Sequence, residues 1–397
     1  MSTQATTNVS RKRRTSKDDT TCPSCPVLLI ELIYEILSWL PVKSLIQFKC
    51  VCKSWNSLIS SSDFVKKHVH RSSIDPNLRN HRLLGIDYNL DHKFVLSLSL
   101  RSVIDNLSRP IFDESSFELR LGAEIVQSCN GLICWINYEN HNYVNYLNPS
   151  TKFKSQSPPC FDHPWVFGDV DEPCFTLFGF GYDLINDIYK TIAIYCDPIG
   201  KNTMVKVYEL GVSRSWRDIQ SLPFFPCTNI DTYSEDYGKF VSGTLNWLCL
   251  SCDKSLVIVS LDITDETFEE ISVPNVATTL DFVESPKLWV LGGCLCFSYD
   301  FNKEHILLWQ MKLYGVIESW NIFLKISYMD IGPYYPRPLF MWDNNEIMLK
   351  INDDGRFIVY NHRCNSLKHL EFRTSNIWIE GGTYIESLVS PYNVGVN

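Results

Sequence analysis

Beyond residue 80 the sequence repeats a pattern of tight turns and short strand-like runs. The turn signals are Asn130-Gly131, Asn186-Asp187, Ser242-Gly243, Gly292-Gly293 and Asn344-Asn345. Counting from Gly131 to Asn186, Gly243, Gly293 and Asn345 gives intervals of 55, 57, 50 and 52 residues. A unit of this length that holds about four strands is the size of one β-propeller blade, so the repeat predicts a ring of such blades.

The strands inside each unit keep the same spacing. After each turn comes a strand, a short loop and a further strand marked by an aromatic or leucine side chain. These pairs are 144–147 with Phe153, 205–210 with Trp216, 257–261 with Phe268, 307–311 with Trp320, and 357–360 with Leu367. A sixth unit can be assembled from strands in 82–121 closed by 383–389, which leaves no free sheet edge. The prediction is an all-β, propeller-like domain of about six blades, and a β-sandwich with irregular hairpins is the alternative.

Residues 25–70 follow a helical period instead. Apolar residues recur at i, i+3, i+4, i+7, i+8 and i+11 until Pro41 ends the first stretch. They are Leu29, Leu32, Ile33, Ile36, Leu37 and Leu40. A second stretch from Leu45 to Ile59 keeps this period, and Asp63 can cap a third short helix through Phe64. Three short helices have little interior of their own, so something else has to cover much of this aliphatic surface.

Charge separates the two parts of the chain. Residues 1–76 carry 11 Lys/Arg against 6 Asp/Glu, whereas the remainder carries 25 against 39. An acidic bulk without a basic stripe argues against nucleic acid as the main partner. The polar residues 1–24 are predicted to be disordered. Within them, the cluster Arg11, Lys12, Arg13 and Arg14 is either a nuclear import signal or a solvated tail.

The compartment is predicted from what the chain lacks. No apolar run approaches the ~20 residues of a membrane span, and the polar start is unlike a secretory signal. The 15 cysteines are an odd number, and many lie in apolar strand-like runs, where a reduced thiol acts as a small hydrophobe. We therefore expect a cytoplasmic or nuclear protein, or one present in both, that has no membrane partner.

Motifs for catalysis or cofactors are weak. Gly179-Phe180-Gly181 lacks the third glycine and the helix of a dinucleotide fingerprint. The two C-x-x-C pairs, Cys22 with Cys25 and Cys249 with Cys252, have no suitable partner pair for zinc nearby. We predict no catalytic residues, no cofactor and no metal, and hence no enzyme. A hydrolase, lyase or glycan-binding enzyme on the same scaffold is a remoter alternative.

Aromatic side chains between the predicted strands are candidates for a recognition surface, because they bring large contact area at small entropic cost. They are Trp165, Tyr233, Tyr237, Tyr334 and Tyr335. Burial inside the ring is the competing interpretation, and the sequence leaves both open.

The helical residues resemble a known family. Leu40, Pro41, Val42, Lys43, Ser44 and Leu45, followed by Val51, Cys52, Lys53, Ser54 and Trp55, resemble the F-box of plant proteins over residues 26–67. The resemblance implies a three-helix module that docks on the Skp-type adaptor of a cullin-RING ubiquitin ligase. The positions implied to face the adaptor, or to support that face, are Leu28, Leu29, Leu32, Ile36, Leu40, Pro41, Leu45, Val51 and Trp55. Family members usually begin with Leu-Pro where this chain has Leu28-Leu29, so a weaker helix start is expected.

The strand-rich region resembles the F-box-associated interaction domain. The likeness spans nearly all of residues 120–330 and is carried by 128–132, 148–151, 178–183, Tyr189, Lys190, Trp216, Arg217, 242–247, 314–316 and 318–320. It implies an α+β multidomain chain: a small three-helix F-box (25–70), a linker (71–80) and a kelch-like, propeller-like domain (81–397).

The two resemblances together imply a function. The chain would be the non-catalytic substrate-recognition subunit of an SCF-type ubiquitin ligase. Its implied partners are the adaptor, through it a cullin, and an unidentified target protein held by the β domain. The alternative is a non-ligase scaffold or ligand-binding propeller whose helices serve only packing.

Overall fold

The structure is a computed structural model. It describes residues 29–89, 92–105, 117–119, 123–137, 143–155, 174–227, 236–274, 284–332, 334–342, 346–351, 356–364, 366–371, 377–378 and 382–391. The predicted tail at 1–24 lies outside these ranges. Within them, no helix combines the length and the apolar character that crossing a bilayer requires.

Six antiparallel sheets, which we number as blades I to VI, form the body of the molecule. Blade I contains β1 (His81–Asn89), β2 (His92–Ser99), β3 (Phe117–Leu119), β25 (Ile377–Trp378) and β26 (Thr383–Ile385); blade II contains β4 (Ala123–Cys129), β5 (Leu132–Asn137), β6 (Tyr143–Asn148) and β7 (Phe153–Lys154). Blade III contains β8 (Phe175–Asp183), β9 (Ile188–Asp197), β10 (Asn202–Glu209) and β11 (Arg217–Ile219).

The remaining three blades follow in chain order. Blade IV contains β12 (Phe225–Pro226), β13 (Lys239–Val241), β14 (Thr244–Leu250), β15 (Leu256–Asp262) and β16 (Phe268–Ser272). Blade V contains β17 (Glu284–Leu291), β18 (Cys294–Phe301), β19 (His305–Met311) and β20 (Trp320–Ser327); blade VI contains β21 (Arg337–Trp342), β22 (Glu346–Lys350), β23 (Arg356–Asn361) and β24 (Ser366–Glu371). The prediction of a six-blade propeller is confirmed.

The residues that the structure describes also form six α-helices, four of them in the N-terminal region. They are α1 (Ile30–Leu37), α2 (Val42–Phe48), α3 (Lys53–Ser60), α4 (Ser62–Ser73), α5 (Leu100–Asp105) and α6 (Tyr328–Ile331), with a 3-10 turn at Ile317–Ser319. The first four form the N-terminal helical module.

Four of the predicted turns join β4 to β5, β8 to β9, β13 to β14, and β17 to β18. Asn130 and Gly131 have φ of 50° and 86°, and Ser242 and Gly243 have 51° and 82°. Two consecutive residues with positive φ match the right-handed twist of the flanking strands, which is why Asn-Gly and Gly-Gly favour such hairpins. Asn344-Asn345 lies outside the described residues.

The core lies between neighbouring blades. In β9, eight consecutive residues from Tyr189 to Cys196 are buried, because each blade packs another blade on both faces. Side chains of blades III and IV share one cluster, as do those of blades I and VI, for example Leu83 with Phe357.

Ring closure follows the prediction with one difference. Strands β25 and β26, from the end of the chain, both pair with β1. The closing strand β26 ends at Ile385, whereas 383–389 was expected to be extended. Residues 386–391 leave the sheet and run under the helices, as described below.

Two details of the helical module differ from expectation. The stretch from Leu45 to Ile59 is two helices, α2 and α3, since Cys52 adopts extended backbone geometry before α3 begins. The apolar stripe survives the break, because Phe48 and Trp55 still pack edge to face at 5.5 Å. The cap of α4 is Ser61, whose hydroxyl accepts a hydrogen bond from Phe64 N. Asp63 was expected there and instead lies in the first turn, where its charge complements the helix dipole.

Candidate functional site

The helical module has a small core of its own. Buried side chains of α1 to α4 meet in one cluster: Leu37, Val42, Leu45, Ile59 and Phe64. Leu388, from the other end of the chain, completes this cluster. The interior is too small to take up the remaining aliphatic side chains of these helices.

Seven large apolar side chains of the module stay 39% to 66% exposed. We call them the apolar face: Leu29, Ile30, Leu32, Ile36, Trp39, Ile46 and Val51. Isolated exposed aliphatics are ordinary, but seven within one short module are typical of a surface that another molecule covers.

The nine positions implied to contact the adaptor divide by burial. Leu29, Leu32, Ile36, Pro41 and Val51 are exposed, and Leu40 and Trp55 are half-buried. Leu45 is fully buried and can only support the face from below. Leu28 lies outside the described residues. Ile30, Trp39 and Ile46 were missed, because they fall beside the periodic stripe that the sequence argument followed.

Helix α4 braces the apolar face through its basic side chains. The Arg71 guanidinium lies 4.7 Å from the centre of the Trp39 ring, and that of Arg79, which follows α4 in the chain, lies 5.9 Å from it. Arg71 also donates to Glu35 O at 3.0 Å and pairs with the Glu35 carboxylate. Hydrogen bonds from Lys67 and then Arg71 hold the pKa of Glu35 below its usual value. These contacts orient α1, which together with its N-cap Leu29 carries four of the seven residues of the face.

His68 fixes the corner between α1 and α2. Its ring is buried, stacks on Phe64, and places Nε2 2.9 Å from Leu40 O. Burial lowers the pKa of His68, and the bond to the Leu40 carbonyl opposes this only in part. The neutral ring therefore donates from Nε2, which holds the Leu40-Pro41 corner in place.

The module sits on one defined face of the propeller. In an antiparallel blade, the turns after the first and third strands lie on one face of the ring, and the turn after the second strand and the link to the next blade lie on the other. Lys66 pairs with Asp187 at 2.8 Å, in the turn after β8, the first strand of blade III. Val65 and Val69 pack against the core of blades II and III. The helices therefore occupy the face of the first-strand turns.

The opposite face carries an exposed patch at blade V. Helix α6 lies in the link from blade V to blade VI, and its Met329 is 94% exposed. Tyr328 anchors the helix, since its N–H donates to Glu304 O at 3.0 Å and its hydroxyl donates to Asp300 at 2.8 Å. Phe301 ends β18, at the turn before β19 on the same face. We call three exposed side chains of this turn and of the link the distal patch: Phe301, Met329 and Tyr334.

The five candidate aromatics divide between the two interpretations. Tyr334 is exposed, with the Arg356 guanidinium 5.9 Å from its ring centre. Tyr335 is half-buried, with its hydroxyl 2.7 Å from Ser298 Oγ. Tyr237 is buried, and its hydroxyl donates to Glu124 at 2.6 Å, so it belongs to the interior of the ring rather than to a surface. Trp165 and Tyr233 lie outside the described residues.

Several propeller residues that carried the family resemblance bind blades III and IV together. Lys190 Nζ lies 3.3 Å from Asp183, 3.0 Å from Glu266 and 2.8 Å from Ile263 O. Arg217 also pairs with Glu266. Burial alone raises the pKa of Asp183, but hydrogen bonds from Asn186, Thr264 and Lys190 outweigh it and keep this pKa below its usual value. Each charge has a partner, so the arrangement supports a structural role.

Other polar clusters offer little chemistry. Cys249 is buried and Cys252 is exposed, so the two thiols do not face a common site, while Cys22 and Cys25 lie outside the described residues. Across the described part of the chain, no group of three or more His, Cys, Asp or Glu side chains is arranged to hold a metal ion.

Comparison with known proteins gives two family matches. Residues 28–67 match the model of the F-box domain, and residues 90–366 match that of the F-box associated beta propeller domain.

Similar proteins include several from Arabidopsis thaliana. F-box/kelch-repeat protein At3g23880 is 28% identical over 376 residues, which cover 92% of this chain and 96% of that protein. F-box protein At5g10340 is 30% identical over 383 residues, or 90% and 83% of the two chains. Among solved structures, TolB from Acinetobacter baumannii overlays with a TM-score of 0.46 at 8% identity, covering 80% of this chain and 72% of that one.

Proposed function

Because the chain belongs to the family of F-box proteins with an F-box-associated β-propeller domain, we propose that it is the substrate receptor of an SCF-type ubiquitin ligase. The α1–α4 module binds a Skp-type adaptor, which connects it to a cullin, and the propeller holds a target protein. The chain makes and breaks no bond itself. It acts by placing target lysines near the ubiquitin-charged enzyme, so its contribution to the reaction is proximity.

The apolar face is the observation that carries this proposal. Seven half-exposed side chains cost free energy in water, and covering them contributes on the order of 1 kcal/mol each. That gain is of the same order as the loss of free motion that association has to offset. The half-buried Leu40 and Trp55 and the buried Leu45 support the exposed residues, which explains why all three belong to the motif.

We further infer that the target binds the distal patch. It lies on the face opposite the helices, so a bound target does not compete with the adaptor for space. Met329 offers an apolar anchor on a helix that Tyr328 holds in place. The exposed carboxylates of Glu304 and Asp330 lie beside Met329, and the exposed Arg356 guanidinium lies beside Tyr334. The patch therefore favours a target surface that places charges of both signs around an apolar hollow.

A pair of double variants of the full chain tests both sites. Leu32→Asp with Ile36→Asp places two charges in the apolar face without touching the buried cluster. Binding to a purified Arabidopsis Skp-type adaptor should fall by roughly 100-fold, because a charge buried without a partner is costly. Met329→Asp with Tyr334→Asp makes the same chemical change on the opposite face and should leave adaptor binding unchanged. Equal adaptor binding by the wild type and the first variant would reject the docking face.

The second variant then reports on the target. A biotin ligase fused to the full chain first labels neighbouring proteins in cells. The ubiquitylation of these labelled proteins is then measured in the presence of the wild type and of the Met329→Asp, Tyr334→Asp variant. The wild type should increase the modification of a labelled protein, and Met329→Asp with Tyr334→Asp should not. Undiminished modification by this variant would move the target site elsewhere on the propeller.

A further inference from the structure

The C-terminal segment, residues 383–391, belongs to the propeller and to the helical module at once. Its first part is β26, which pairs with β1 from Thr383 opposite Leu83 to Ile385 opposite His81. The Tyr384 hydroxyl also lies 2.8 Å from Ser97 Oγ in β2. This part closes the ring by joining the end of the chain to the first strands of blade I.

The second part of the segment enters the helical core. Leu388 is 7% exposed and packs in the cluster with Leu45, Ile59 and Phe64. The next residue, Val389, packs instead into the core shared by blades II and III. Two adjacent side chains therefore belong to two different cores, and the position of each depends on the path of the same backbone.

Blade II holds that path in place. The Asn148 side-chain amide is fully buried and donates to Ser387 O at 2.9 Å and to Val389 O at 2.7 Å. Ser128 donates to Thr383 O at 3.0 Å. Gly131 passes so close that a β-carbon there would lie 2.5 Å from Ile385 O. Gly131, from a turn of the sequence repeat, and Asn148, from the family resemblance, thus both contact the C-terminal segment.

The helix-to-strand link adds contacts to the same segment. Glu386 N donates to Asn80 O at 2.8 Å, and the Glu386 carboxylate pairs with Arg82 at 2.8 Å. Asn80 in turn donates to Ser72 in α4 at 2.8 Å. A continuous chain of contacts therefore runs from blade II through the segment to α4.

We propose that the C-terminal segment makes the apolar face conditional on closure of the propeller. The helices complete their core only when Leu388 is in place, and Leu388 is in place only when β26 and Asn148 hold the segment. When residues 383–391 are removed or displaced from the ring, the helices that carry the apolar face pack less firmly, and the face binds the adaptor more weakly. The adaptor readout of this inference rests on the proposed function, whereas the coupling between segment and helices does not.

Asn148→Asp in the full chain is the most direct test. Aspartate keeps the shape of asparagine, but its carboxylate cannot donate to the carbonyls of Ser387 and Val389 and is repelled by them, and protonation restores only one of the two bonds. Asn246→Asp is the matched control. Asn246 is equally buried, and its amide donates to Lys239 O at 3.0 Å within blade IV, with no bond to the C-terminal segment.

Hydrogen exchange supplies a readout that needs no adaptor. In Asn148→Asp, amides of residues 383–391 and of α1 to α4 should exchange at least tenfold faster, while those of blades IV and V keep wild-type rates. In Asn246→Asp, the helices should keep wild-type rates. Faster exchange of the segment with unchanged helices would overturn the coupling, and unchanged exchange of the segment would overturn the role of Asn148.

Adaptor binding supplies the second readout. Affinity should fall roughly tenfold in Asn148→Asp and in Leu388→Ala, and should change less than twofold in Asn246→Asp and Leu388→Met. If the wild type itself does not bind, the proposed function fails, and hydrogen exchange still decides the coupling. If the wild type and both Asn148→Asp and Leu388→Ala bind equally, the coupling to docking fails.

Discussion

The helical module and the propeller treat the same kinds of side chain in opposite ways. In β9, residues 189–196 are all buried between blades, whereas α1 leaves Leu32 and Ile36 about half exposed. A blade has a neighbour of the same chain on each side, so its apolar surface is finished on folding. The module has such a neighbour on one side only, which is the condition expected of a surface that is completed by association.

Charged groups show the same contrast. Lys190 is 4% exposed and lies between two carboxylates, Asp183 and Glu266. Lys67 and Arg71 share Glu35 at the surface of the module, where the Glu35 side chain is 47% exposed. Buried pairs are costly to break because the remaining charge stays in a poorly solvated place, while water replaces a lost surface partner.

The largest difference should come from removing one cation in each region. Lys190→Met leaves Asp183 without its cation and should lower the free energy of unfolding by about 3 to 5 kcal/mol. Lys67→Met makes the same substitution beside Glu35. It should lower the free energy of unfolding far less, since Arg71 and water remain to solvate the Glu35 carboxylate. Urea unfolding of both variants measures this. Comparable losses would mean that the two networks are equally solvated, which breaks the contrast.

The next largest difference lies within the propeller and tests its closure. Gly131 and Gly243 occupy the same turn of blades II and IV, with φ of +86° and +82°. Gly243→Ala should cost about 1 to 2 kcal/mol, because an added β-carbon meets open space and only the backbone is strained. Gly131→Ala should cost roughly 3 kcal/mol, because the same carbon also collides with Ile385 O and Ser387 Oγ.

Thermal unfolding separates these two alanine variants. The Gly131→Ala protein should also show faster hydrogen exchange in residues 383–391 than the Gly243→Ala protein. Identical transitions would show that the chain end moves aside without cost, so that closure contributes little to stability.

Local chemistry made much of this fold predictable. The turns at Asn130-Gly131 and Ser242-Gly243 depend on two residues with positive φ, which the second position adopts readily because glycine has no β-carbon. The helical stripe ending at Pro41 is equally local. The division of residues 45–59 into α2 and α3 was missed, since the apolar period continues through the break at Cys52.

The contacts that complete the candidate site are not local. Leu388 fills the helical core because the ring brings the chain end back beneath α1 to α4, and its own neighbours in sequence carry no sign of this. Tyr237 is a similar case, because Glu124, which accepts the hydrogen bond of its buried hydroxyl, comes from another blade. A pattern-based argument identifies which residues are apolar or aromatic, but the closed ring decides which of them remain at the surface.

The smallest expected effect on stability is the sharpest test of the helical module. Ile36→Ala and Ile59→Ala remove the same atoms from α1 and α3, but Ile36 is 55% exposed and Ile59 is fully buried. Ile59→Ala should cost about 2 to 4 kcal/mol, because it empties part of the core. Ile36→Ala should cost less than about 1 kcal/mol, since little burial is lost and alanine favours the helix.

Binding to the adaptor should nevertheless weaken by roughly tenfold in Ile36→Ala. Calorimetry measures this affinity, and urea unfolding measures the stability of both variants. If Ile36→Ala destabilised the free chain as much as Ile59→Ala, the apolar face would already be sealed by the chain itself, and nothing would be left for a partner to cover.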